Sequence, residues 1–216
     1  MDMLEIMKAR HSVRQYEEKR IEGERKETLI SLVKECNKES GLNIQIIFDE
    51  PKCFESMMAH YGKFSGVKNY IALVGKKGAD LDEKAGYYGE KLVLKAQELG
   101  LNTCWVALTH GKSAAEVKKG EKLACIIALG YGVTQGVSHK NKPLEQLCNC
   151  AKAMPDWFSK GMEAVMLAPT AMNQQKFYFT LENGGVSAKA GKGFYTKMDL
   201  GIVKYHFEAV SGRKVE

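Results

Sequence analysis

Proline is scarce in this chain, four in 216 residues, and no stretch is of low complexity. Chains that stay disordered are poor in apolar side chains and rich in charge and proline. Here 44% of residues are hydrophobic and 27% charged, which excludes wholesale disorder and fits a globular protein with a buried core. Long apolar runs are missing as well. The best, residues 124–129, falls far short of the ~20 residues that a membrane-spanning helix needs. Residues 1–11 carry charges throughout and no continuous apolar segment, so a secretory signal is not expected there. The expectation is a cytoplasmic protein with no membrane partner.

Metal and nucleotide signatures are also missing. Six cysteines, at 36, 53, 104, 125, 148 and 150, include no C-x-x-C, and no histidine stands at zinc-finger spacing from them. Cys104 and Cys125 lie in apolar runs and read as buried, reduced thiols. The five histidines, at 11, 60, 110, 139 and 206, lack the i, i+4 spacing of metal ligands, so no metal site is expected. Gly130 and Gly132 follow a strand-like run. Gly136, however, comes one residue late for a dinucleotide loop, and residues 137–143 do not read as a helix start. Gly191-Lys192-Gly193 lacks both the upstream glycine and the Ser/Thr of a phosphate loop. No serine sits in G-x-S-x-G, and no nucleophilic pair emerges from spacing. Charge is nearly balanced: 32 basic against 26 acidic residues give +6, without a block of five like charges. The first 30 residues carry seven of each sign, so there is no basic arm and no nucleic-acid partner is expected.

Hydrophobic periodicity organises the rest. It predicts helices over residues 2–9, 24–36, 53–61, 82–99, 157–167 and 199–210, with Asp199 as a possible N-cap of the last. Strands are predicted over 43–48, 70–74, 103–108, 123–129 and 176–181, and loops over 130–143 and the glycine-rich 183–192. Helices alternate with most strands, which favours a sheet flanked by helices. Helix, Asn43-x-Gln45 and an apolar strand are echoed by helix, Asn173-x-Gln175 and an apolar strand, a partial internal repeat.

The residues best suited to chemistry are Arg10-His11-Ser12-Val13-Arg14. In an extended segment Arg10, Ser12 and Arg14 would project to one side. Two guanidinium forks and a hydroxyl suit a phosphate monoester through charge-assisted hydrogen bonds. The competing reading is a surface patch neutralised by Glu17, Glu18 and Glu22.

Arg10-His-Ser-Val-Arg-Gln-Tyr16 resembles the opening motif of the nitroreductase family, commonly R-[RH]-S-x-[RK]-x-[FY]. Residues 86–106, which include Gly100-Leu-Asn-Thr-Cys-Trp105, resemble the family's central helix and the strand after it. Ile127-Ala-Leu-Gly-Tyr131 resembles its late strand and turn, and Lys140-Asn-Lys-Pro143 its basic K-x-[RK]-P segment. Ala168-Pro-Thr-Ala-Met-Asn-Gln-Gln175 resembles its P-[ST]-x-x-N-x-Q flavin loop.

The resemblance implies an α+β fold with a central mixed or antiparallel sheet flanked by helices. It also implies an FMN-dependent NAD(P)H oxidoreductase, with FMN as cofactor and NADH or NADPH as donor. Nitroaromatics or quinones would accept the electrons in a ping-pong cycle, with the chemistry on the flavin and no catalytic side chain. By it, Arg10, His11, Ser12 and Arg14 contact phosphate and ribityl chain, and Lys140 and Lys142 close on the phosphate. Ala107 and Leu108 pass the flavin edge, and Pro169, Thr170, Asn173 and Gln175 hold the ring. The alternative function is a flavin carrier or redox sensor without efficient turnover.

This chain departs from the family in where that loop stands. The early position holds Glu39-Ser-Gly-Leu-Asn43-Ile-Gln45, without the proline, and the intact version comes at 168–175. Lys176-Phe177 also replaces the usual Pro-Trp. The expected organisation is a flavin-oxidoreductase core over 1–150 and a partial repeat over 151–216 that supplies the loop. This organisation allows two arrangements, a monomeric pseudo-dimer and an ordinary homodimer.

Overall fold

A computed structural model describes residues 2–150 and 154–216; residues 151–153, where the expected second segment begins, lie outside the described residues. The chain forms two compact units. One comprises residues 9–81 and 91–137, the other residues 1–8, 82–90 and 138–216.

The first unit holds helices α2 (Gly23–Ser40) and α3 (Met57–Tyr61) and strands β1 (Gln45–Ile47), β2 (Asn69–Lys76), β3 (Asn102–Val106) and β4 (Glu121–Gly130). The strands form one antiparallel sheet in the order β1-β2-β4-β3. Seven successive buried residues open β2 and seven close β4. Such runs mark strands covered on both faces, which is why they read as continuous apolar stretches and not as alternation. Tyr70, Ala72 and Val74 of β2 and Ile126 and Ala128 of β4 share one cluster with Cys104, Val106, Phe54 and Phe64. Helix α2 ends at Gly41, whose φ of 71° closes it with an amide donating to Asn37 O. Lys91 donates to Glu35 and Glu39 of α2 at 2.8 and 3.3 Å, tying the second half of α4 (Leu81–Glu98) to that helix.

The expected single helix over 53–61 is corrected to a 3-10 turn, Lys52–Phe54, and a separate α3. Ser56 begins α3 anew, its hydroxyl accepting from Ala59 N at 3.2 Å, and an N-cap residue cannot lie inside a continuous helix. The expected strand over 103–108 stops at Val106, where pairing with Ile126 ends.

The second unit holds α1 (Met3–Ala9, through Lys8), the first half of α4, α5 (Asp156–Val165), the hairpin β5 (Phe177–Glu182) and β6 (Gly185–Ala190), and α6 (Thr196–Ser211). The loop expected over 183–192 is corrected: most of it is β6. Asn183 and Gly184, with φ of 52° and 76°, make a two-residue turn between the paired Glu182 and Gly185. Asn-Gly is the preferred pair for such a turn because both positions need positive φ. Val186 and Ala188 of β6 point to the core while their neighbours do not.

Aromatic rings fill this unit. Phe207 of α6 stacks on Phe179 of β5 with centroids 5.2 Å apart and meets Phe158 of α5 edge-on at 5.5 Å. A Cβ on Gly161 would lie 2.4 Å from the Phe207 ring, so α5 carries glycine where the ring arrives. Helices α4 and α6 cross at a reciprocal glycine contact. A Cβ on Gly86 would stand 2.0 Å from Met198 O, and one on Gly201 2.0 Å from Glu83 O. Nearby, His206 and Glu90 are wholly buried, with His206 Nε2 2.9 Å from Glu90 Oε1 and Nδ1 2.9 Å from Ala164 O.

Asp199 is not the N-cap of α6, which starts at Thr196. It lies in the first turn, 2% exposed, and its carboxylate serves a different segment.

Candidate functional site

The first unit carries Arg10, His11, Ser12, Arg14, Ala107 and Leu108; the second carries Lys140, Lys142, Pro169, Thr170, Asn173 and Gln175.

In the first unit the segment after α1 is extended and pinned by backbone hydrogen bonds on both sides. Val13 N donates to Thr103 O at 3.0 Å, and Ser12 and Thr103 form a parallel bridge beside β3. Tyr16 N donates to Ser65 O, Ser65 N to Arg14 O, and Val133 N to Gln15 O, at 2.9–3.0 Å. Val13 and Tyr16 are buried and anchor the segment in the core. Glycines let the backbone come this close. A Cβ on Gly66 (φ 70°) would stand 2.1 Å from Tyr16 O, and one on Gly136 (φ 73°) 2.7 Å from His11 Cβ. The late glycine that spoils a dinucleotide motif thus has a packing role here.

Arg10 is buried, Ser12 and His11 are half-buried, and Arg14 is exposed. All three of Arg10, Ser12 and Arg14 act on one atom. Burial pushes the Cys104 thiol up, while the Arg14 charge, a Ser12 hydrogen bond and the Arg10 charge pull it down. The same Arg14 charge opposes the burial that raises the Tyr16 phenol. The segment pinned beside β3 thus carries two guanidinium groups and a hydroxyl, a donor set that fits a phosphate dianion. After β3, Ala107 is half-buried and Leu108 is 69% exposed.

In the second unit the residues expected to meet the ring and the phosphate are clasped to one another. Gln175 is 4% exposed. Its Nε2 donates to Lys140 O at 2.7 Å and to Asn173 Oδ1 at 2.8 Å, and its Oε1 accepts from Lys142 N at 2.9 Å. Asn173 Nδ2 donates to Lys140 O and Lys142 Nζ to Gln175 O, at 2.8 and 3.2 Å. Thr170 Oγ1 accepts from Gln175 N at 3.1 Å. The Gln175 amide is thereby spent inside the clasp. Lys140 stays exposed and Lys142 half-buried.

Three of the four residues 172–175 have left-handed backbone: Met172, Asn173 and Gln175, with φ of 51°, 52° and 44°. Non-glycine residues hold such angles only where their surroundings enforce them. Met172 at the tip is 95% exposed. Asp199 accepts from Ala171 N at 2.9 Å and from Gln174 Nε2 at 2.8 Å. Burial raises its pKa to about 6 against these two hydrogen bonds.

A family model described as "Putative TM nitroreductase" matches residues 2–211. Among solved structures, a "putative nitroreductase" of Thermotoga maritima superposes with a TM-score of 0.72 at 23% identity, covering 99% of this chain and 87% of its own. A "putative nitroreductase in complex with fmn" from Desulfovibrio desulfuricans superposes at 0.53 and 18% identity, covering 71% and 98%. A protein of Bacteroides thetaiotaomicron described as "Putative NADH dehydrogenase/NAD(P)H nitroreductase" superposes at 0.53 and 18%, covering 67% and 95%. No curated protein matches the sequence.

Proposed function

We propose, from the premise that this chain belongs to the nitroreductase family, that it is an FMN-dependent NAD(P)H oxidoreductase. The observation that carries this reading is the extended Arg10–Arg14 segment pinned beside β3, which sets two guanidinium groups and a hydroxyl within five residues. A relative of the same fold is described as a complex with FMN.

Arg10 and Arg14 would neutralise the phosphate of FMN, Ser12 would donate to it, and His11 would stand beside the ribityl chain. Ala107 and Leu108, just past β3, would line the flavin edge. The 168–175 loop is the ring-holding element of this reading. Pro169, Thr170 and Asn173 would face the flavin, and Gln175 keeps the loop in shape from inside. Lys140 and Lys142, held by the same clasp, would offer cations to the phosphate. The chemistry that bound FMN supplies is hydride transfer at N5, from NADH or NADPH and onward to a nitroaromatic or quinone in ping-pong order. The protein's part is to bind, orient and screen the cofactor, which agrees with the lack of any nucleophilic pair in the sequence.

Residues 151–216 are proposed to be a partial repeat that provides this loop in place of the proline-less 39–45 segment. FMN titration with equilibrium sedimentation tests the arrangement. A monomer binding one FMN supports a single-chain equivalent of a dimer, and two FMN per chain would contradict it.

Arg14→Ala tests the phosphate assignment. The side chain is exposed, so the fold should survive. Removing a charge-assisted hydrogen bond should weaken FMN binding roughly ten- to a hundredfold. Unchanged affinity would refute the assignment.

A further inference from the structure

The 169–175 loop is held from below by one side chain that the family resemblance does not name. Asp199, in the first turn of α6, sends one carboxylate oxygen to Ala171 N and the other to Gln174 Nε2. Gln174 Nε2 has two hydrogens, and its other acceptor is Phe194 O at 2.7 Å. Both amide hydrogens are therefore committed, and Gln174 cannot turn its oxygen toward Asp199 without setting it against the Phe194 carbonyl. Both oxygens of Asp199 thus face donors. The ionised carboxylate accepts both bonds at full strength, whereas protonation leaves one donor facing a hydroxyl oxygen, a weaker acceptor that carries a hydrogen of its own. The two contacts fall on either side of Met172 and Asn173, the adjacent pair of residues with left-handed backbone. They are well placed to hold that strained turn.

We infer that Asp199 is the positioning residue of the 169–175 loop: as the carboxylate it fixes the loop for cofactor binding, and protonation loosens it. This rests on the reading of that loop as a flavin loop. Asp199 is 2% exposed, and burial already lifts its pKa to about 6, with the two hydrogen bonds pulling the other way. Charged groups stand on the neighbouring segments. Lys176, Lys192 and Lys197 are exposed. Glu83 of α4, whose backbone lies against Gly201, turns its carboxylate to Lys204 at 2.9 Å. What acts on the Asp199 carboxyl is burial, opposed by the hydrogen bonds from Ala171 and Gln174. The loop's shape is thus set to respond to pH near 6.

Hydrogen exchange at the Ala171 amide reads this directly in the flavin-free protein, alongside FMN affinity by flavin fluorescence. In the wild type, protection of Ala171, corrected for intrinsic exchange, should fall about tenfold or more between pH 8 and pH 5, with a midpoint near 6. FMN affinity should fall over the same window. In Asp199→Asn, one of the two donors must face an amide NH2. Protection should then be low and flat with pH, and FMN binding about tenfold weaker or more at pH 8. Gln174→Ala should give an intermediate loss. Flat wild-type protection across this range, or equal exchange and FMN affinity in wild type and Asp199→Asn, would overturn the role of Asp199. Should Asp199→Asn fail to fold, the wild-type pH profile alone decides. A wild type that takes up no FMN would instead overturn the proposed function and with it the loop's assignment to flavin.

Discussion

At the scale of single residues, two buried groups carry opposite lessons. Cys104 is 2% exposed and its thiol is pushed up by burial, so it is a poor nucleophile even though the Arg14 and Arg10 charges pull the other way. Cys104→Ala should cost about 1–2 kcal/mol in denaturant unfolding and leave turnover per folded molecule unchanged. Lost turnover with full stability would contradict a packing role. Asp199 has an effect on stability whose sign runs against habit. Its pKa in the fold, about 6, lies above the ordinary 3.8. The folded chain therefore binds the proton more tightly than the unfolded one. Its contribution to stability is full below about pH 4 and is lost as pH rises through 6. Wild type should gain up to about 3 kcal/mol relative to Asp199→Asn between pH 8 and pH 3, measured by paired denaturant titrations. The ionised form that suits the loop is the one that costs stability. A buried carboxylate kept at that cost is what a functional constraint produces.

At the scale of elements, helix packing in the second unit turns on two glycines and one polar pair. Gly86→Ala would put a methyl 2.0 Å from Met198 O, a backbone atom that cannot step aside as a side chain can. The cost should be about 3 kcal/mol, seen as a thermal midpoint lower by roughly 5–10 °C. His206 places Nδ1 against a carbonyl, which can only accept, so that nitrogen carries a hydrogen. The remaining nitrogen faces Glu90 Oε1 at 2.9 Å in a fully buried pair. Glu90→Leu should destabilise by about 3–5 kcal/mol in denaturant unfolding, because it leaves the imidazole without its partner. Element types are legible where periodicity is strong: the stripe Tyr88, Leu92, Ala96 marks α4, and the apolar runs mark β2 and β4. The hairpin is hidden because the glycines at 184, 185, 191 and 193 give the segment a loop-like composition, whereas the turn itself is set by the Asn183-Gly184 pair alone. Residue type points Asp199 to a helix start, yet its real partners lie 25 and 28 residues away in sequence, beyond the reach of local spacing.

At the scale of the whole molecule, the resemblance carried by the motifs names the family that the chain belongs to, and the sheet order and hairpin belong to its α+β architecture. The candidate phosphate segment stands out in the sequence because two arginines and a serine alternate over five residues. The internal clasp of Gln175 is not, since a motif shows which residues recur but not which amides are consumed within the loop. Among the described residues no helix is long and apolar enough to cross a membrane. The proposed function requires that this chain bind FMN and reduce it with a nicotinamide donor. It is tested most directly by adding FMN to the purified protein, removing excess, and titrating NADH and then NADPH without oxygen while recording the visible spectrum. The expected result is a yellow protein with stoichiometric flavin that bleaches with one donor or both and regains its colour on adding a quinone. A colourless protein that retains no FMN, or bound flavin that neither donor reduces, would contradict it.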